Sequence, residues 1–116
     1  MKIITRAEML KMPVGTVYSR YEPCVFSELY VKADDAGNYE NDWLYDALIG
    51  AVKTNSSEEF IEKCELMEKG ESHDVDFEST GRDGLFDDEQ LYAIYEKVDV
   101  EKLIARLQLA LTPLHT

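Results

Sequence analysis

Two short runs of β-branched and aromatic residues, Thr16 to Tyr21 and Val25 to Val31, stand either side of Glu22-Pro23. That pattern commits the early chain to sheet. In the second run Val25, Ser27, Leu29 and Val31 share one face, while Phe26, Glu28, Tyr30 and Lys32 share the other. Each face mixes apolar and polar groups, as in an antiparallel hairpin covered in part on both sides. Asp34-Asp35-Ala36-Gly37-Asn38 is a turn by composition.

Helices frame this sheet material. Thr5 with Glu8 fits a capping box, followed by Ala7, Met9, Leu10 and Met12 before Pro13 stops the helix after about two turns. Ser56 with Glu59 makes a second box, with Phe60, Ile61, Cys64 and Met67 as the apolar stripe and Gly70 as the stop. Asp99 is expected to cap a last helix whose stripe is Val100, Leu103, Ile104, Leu107 and Leu111, ending before Pro113.

The stretches between are less direct. Asp42 to Val52 satisfies a helical stripe through Leu44, Leu48 and Val52, and a strand face through Trp43, Tyr45, Ala47 and Ile49. Gly50 disfavours a helix interior, which tips the reading to a strand. Ser72 to Glu78 alternates His73, Val75 and Phe77 with Asp74, Asp76 and Glu78, the pattern of a half-buried strand. Ser79 to Glu89 reads as a loop around Gly81-Arg82-Asp83-Gly84. Asp87 with Gln90 offers a helix cap before Leu91 to Glu96, but two tyrosines and an isoleucine favour a strand there. The predicted order αβββαββα gives one α+β domain over residues 1–116, a mostly antiparallel sheet of about five strands with three helices packed on it.

Charge narrows the function classes. The 116 residues carry a formal net charge of -12. Residues 1–57 have eight acids and six bases, and residues 58–101 have sixteen acids and four bases. The excess therefore belongs to the second segment. So acidic a chain repels phosphate backbones, which excludes direct nucleic-acid binding through a basic groove. No apolar run reaches the about 18 residues of a membrane span, and Met1 to Arg6 lacks a signal-peptide core. Cys24 and Cys64 make no disulfide framework. A cytoplasmic protein with free thiols is expected.

At Met12-Pro13-Val14-Gly15-Thr16-Val17-Tyr18, Tyr21-Glu22-Pro23-Cys24 and Thr80-Gly81-Arg82-Asp83-Gly84-Leu85-Phe86-Asp87, the chain resembles a family of small uncharacterised proteins of tailed phages and prophages. The resemblance implies a setting, a bacterial host cytoplasm, and assigns no catalytic residue.

Catalytic chemistry finds little to work with. Cys64 lies in a helical apolar stripe and reads as core. Cys24 and His73 share no spacing that argues for a dyad, and His115 lies near the end of the chain. Gly81-Arg82-Asp83-Gly84 has neither the lysine nor the spacing of a phosphate loop. Arg82, Asp83, Asp87 and Asp88 form a candidate loop site, in which Arg82 is expected to pair with Asp83 or Asp87. Asp83 to Glu89 supplies oxygens for a divalent cation but departs from the EF-hand pattern, and His73 falls on the opposite strand face from Asp74 and Asp76. Leu85-Phe86 either plugs the core or protrudes.

Three readings follow. The leading one is a non-enzymatic protein that needs no cofactor or metal and binds a protein partner, with self-association possible. Leu66 and Leu109, off the main stripes of their helices, hint at the extra apolar surface. The second is a nucleic-acid mimic that blocks a host DNA-binding or defence protein with the acidic face of Glu58, Glu62, Glu65, Asp74, Asp76 and Glu78. The third is a metal-binding protein using the Asp83–Glu89 loop. A solvated face that only keeps the domain soluble explains the same acids.

Overall fold

A computed structural model describes residues 1–35, 41–49, 51–84 and 86–113. Among the described residues nine strands and three helices follow in the order β1 (Lys2–Thr5), α1 (Arg6–Leu10), β2 (Val17–Glu22), β3 (Val25–Phe26), β4 (Tyr30–Asp35), β5 (Trp43–Ala47), β6 (Ala51–Val52), α2 (Ser57–Glu68), β7 (Val75–Asp76), β8 (Ser79–Arg82), β9 (Leu91–Tyr95) and α3 (Lys97–Ala110). The α+β class and the antiparallel sheet stand, with more strands than the pattern predicts. The main sheet runs β1-β9-β2-β4-β5-β8, with β3 also paired to β2, and β6 pairs β7 in a small second sheet. Every strand pair is antiparallel. Among the described residues no helix is long and apolar enough to cross a membrane.

The late strand β9 fills the slot between β1 and β2, matching Ile3 with Ala93 and Ser19 with Ala93 on its two sides. This places Tyr92 and Ile94 against Tyr18, Tyr30, Trp43, Ala47, Ile4 and Met9 in one core. The rings meet edge to face, Trp43 and Tyr92 at 5.4 Å and Tyr18 and Tyr92 at 6.0 Å between centroids. Trp43 Nε1 donates to Tyr18 Oη at 2.9 Å, so the buried indole leaves no orphan donor.

Helix α1 covers this core. Thr5 Oγ1 accepts from Glu8 N–H, and Glu8 Oε1 accepts from Thr5 N–H, both at 3.2 Å, so the expected capping box is present. Lys32, buried in β4, donates through Nζ to the carbonyls of Met9, Leu10 and Met12 at 3.1, 3.0 and 2.8 Å. Met9 and Leu10 are the last two residues of α1, so the cation opposes the negative end of the helix dipole.

Several expectations are corrected. The run Val25–Val31 is not one strand but two, β3 and β4, both beside β2, because Ser27 Oγ takes the Arg20 N–H and interrupts the ladder. Lys2–Thr5 contributes a strand, β1, that short length had hidden. Ser79 to Arg82, expected as loop, is β8, the sheet edge beside β5. The strand expected over Ser72–Glu78 shrinks to Val75–Asp76. The final helix is capped from Glu96, and Asp99 instead sits one turn in, accepting from Glu96 N–H at 2.9 Å. Asp34 and Asp35 end β4, while Ala36, Gly37 and Asn38 of the expected turn, with Gly50, Leu85 and His115, lie outside the described residues. Asp42 to Val52 does form strands, β5 and β6, and Leu91 to Tyr95 is β9.

The helices pack unequally. Helix α1 buries Arg6 and Met9, whereas α2 and α3 contain no buried residue. The α3 stripe stays open: Leu103 is 40% exposed, Ile104 51%, Leu107 59% and Leu111 84%.

Candidate functional site

The chain offers three places where side chains converge. The first is a buried ion cluster built around the glycine-flanked Arg82-Asp83. Asp83 N–H bonds Trp43 O at 3.1 Å, which turns the carboxylate inward from the end of β8. There Asp83 Oδ2 accepts from Arg6 Nη1, and Asp83 Oδ1 lies 3.4 Å from Arg20 Nη2. Arg6 Nη1 also donates to Tyr92 Oη at 2.9 Å, and its Nη2 to Asn41 O at 2.6 Å. Asp42 holds the other side: it accepts from Arg82 Nε at 2.8 Å and from the N–H groups of Trp43 and Gly84 at 2.9 and 3.0 Å. Arg82 thus pairs with Asp42, and not with Asp83 or Asp87 as expected.

The electrostatics follow from burial. Burial works against the Arg6 charge, but the hydrogen bond to Asp83 and the nearby Tyr92 and Asp83 outweigh it and raise its pKa further. Burial raises the Tyr92 hydroxyl, reinforced by the Asp83 charge, to about 12. The guanidinium of Arg6 lies 4.7 Å from the Trp43 ring centre and 5.8 Å from that of Phe86, and Arg82 lies 5.7 Å from Phe86. Phe86 has φ of 50° and is 46% exposed, so it neither plugs the core nor stands clear. It lies over the cluster. Each carboxylate oxygen here is already engaged by a cation or an N–H, which makes the cluster a clamp joining α1, β5 and the loop after β8.

The four loop residues singled out from the sequence are therefore separated. Arg82 and Asp83 serve the clamp, on different partners. Asp87 folds its own turn, accepting from Glu89 N–H at 3.0 Å, and Asp88 is exposed. Among the described residues no group of three or more His, Cys, Asp or Glu side chains could hold a metal ion.

The acidic residues form the second place. Glu58, Glu62 and Glu65 lie along one exposed side of α2. Asp76 and Glu78 lie elsewhere, lining a shallow groove with Lys53, Glu59 and Lys63, where Lys63 Nζ is 3.1 Å from Glu59 Oε1. Asp74 is exposed beside β7. Asp76 Oδ1 accepts from Glu78 N–H, so the expected regular ladder is a bend. The six acids do not make one row.

The third place is apolar. On the sheet face away from α1, Leu29 and Leu48 lie beside Ile49, Phe77, Leu103 and Leu107, around an open groove of about 710 Å³. A neighbouring pocket of about 480 Å³ runs along α3 past Val17, Tyr95 and Val100. Ile49 is 70% exposed and Phe77 58%. The sequence hint rested on Leu66 and Leu109. Leu109 is 46% exposed and Leu66 half-buried, but the main α3 stripe itself is the larger open surface.

Arg6, Arg20, Asp42 and Tyr92 went unmarked in the sequence. One signal was available for Arg6: a cation in the first turn of a helix opposes the dipole, which favours acids there. Comparison with protein-family models, curated proteins and solved structures returns no match for this chain.

Proposed function

We propose that this is a non-enzymatic accessory protein, of phage or prophage setting, that acts by binding protein through the apolar face formed by α3 and the adjoining sheet. One observation carries this: Leu103, Leu107, Ile49 and Phe77 are all 40% exposed or more around a single groove, and Ile104 on the same helix is 51% exposed. Contiguous apolar surface on that scale marks interaction sites. Aliphatic and aromatic contacts of this kind hold in salt, whereas charge pairing is screened at about 8 Å under physiological conditions. Capture from a bacterial lysate should then give the same partner at low salt and at about 1 M salt, and Leu107→Asp should lose it. A partner released by salt and displaced by DNA would transfer the reading to the exposed row Glu58, Glu62 and Glu65, as a nucleic-acid mimic.

A further inference from the structure

The chain is more open than its mass requires. Surface area scaling with mass gives about 6,450 Å² for a folded monomer of this size, while the chain exposes 8344 Å². Its radius of gyration is 16.6 Å, against about 13 Å for a domain of this length. The excess, about 1,900 Å², is shared by α2 and α3, neither of which has a buried residue, and it is comparable with the about 1,000–2,500 Å² that each chain contributes to an obligate homodimer.

Charge decides where a second copy can sit. Two chains of net charge -12 repel each other, and α2 brings Glu58, Glu59, Glu62, Glu65 and Glu68 against Lys63 alone. Helix α3 reverses the balance, with Lys97, Lys102 and Arg106 against Asp99 and Glu101. It is also the element with the open apolar stripe. The less repulsive of the two long helices is therefore also the more apolar one, and among the described residues Glu28 is the one acid lining the groove beside it.

We infer that the occupant of the groove is a second copy of this chain, related by a two-fold axis, with the α3 stripe of each copy seated over Leu29, Leu48 and Phe77 of the other. This rests on the reading of the apolar face as a protein-binding surface and names its occupant. A two-fold contact is self-complementary, and a groove flanked by an apolar helix supplies both halves of such a contact. The pairing leaves the acidic side of α2 facing water.

Sedimentation equilibrium of the full chain from about 1 to about 200 μM tests it. The expected result is twice the chain mass, retained or tightened at about 1 M salt, where repulsion is screened. Leu107→Asp should restore the single-chain mass while the near-ultraviolet signal of buried Trp43 stays unchanged. Amide exchange on the unaltered chain gives a second measure, slowing with concentration in α3 and around Leu48. A monomer at the highest concentration overturns the inference, as does a folded Leu107→Asp dimer. A monomer whose lysate partner is still lost with Leu107→Asp overturns the second copy alone. If that substitution alters neither self-association nor capture, the protein-binding reading of the groove fails with it.

Discussion

At the residue scale, the buried charges dominate. Arg6 is 2% exposed and answers Asp83, Tyr92 and the Asn41 carbonyl at once. Removing a single partner from a buried ion network costs about 3–5 kcal/mol, because the remaining charge stays desolvated. Arg6→Met should lose that amount in urea unfolding, and adding Asp83→Leu should recover much of it. A loss under about 1 kcal/mol for Arg6→Met would show that water already solvates the site. Tyr92 provides a pH test. Its hydroxyl ionises near 12 when folded and near 10 when unfolded. A group held protonated by folding stabilises fully below its unfolded pKa, and that contribution disappears as pH rises through the folded value. Thermal stability should therefore fall steeply between pH about 10 and about 12, with a shallower fall in Tyr92→Phe. Identical slopes would remove Tyr92 from the cause.

At the element scale, the edge strand β8 is held by a close approach. A Cβ added at Gly81 would lie 2.9 Å from Cζ and Oη of Tyr45 on β5, and that ring packs on Tyr30 with centroids 4.7 Å apart. Gly81→Ala should therefore cost about 1–3 kcal/mol by overpacking. In a Tyr45→Ala background the same change should be nearly neutral, and equal costs in both backgrounds would exclude the ring as the obstacle. The elements that could be read directly were those with local rules. Thr5 and Glu8 marked a helix start because both partners of the capping box lie within one turn. Strands β1 and β8 escaped because four residues hold too few alternations to reveal a period, and Ser79 to Arg82 includes a glycine and no large apolar side chain.

At the scale of the whole molecule, one sheet face is filled and the other is open. Aromatic rings, α1 and the ion clamp complete the first; α3 only leans on the second, beside Val17, Leu29 and Tyr95. The candidate site was legible in parts. The α3 stripe and the acidic side of α2 stood in the sequence as periodic patterns, yet the stripe was expected to be core. Periodicity shows that a helix has an apolar side and does not show whether the fold covers it. By itself the sequence determined the starts of α1 and α2, the break at Glu22-Pro23, the sheet-forming runs from Thr16 to Val31 and at Leu91 to Tyr95, and the placing of the charge in residues 58–101, since each depends on neighbours a few positions apart. The tertiary structure alone decided that β9 lies between β1 and β2, that Asp83 turns inward to an arginine 77 residues away, and that α3 remains uncovered. Those outcomes depend on which distant segments pack together, and that choice is set by the summed burial and pairing of the entire chain.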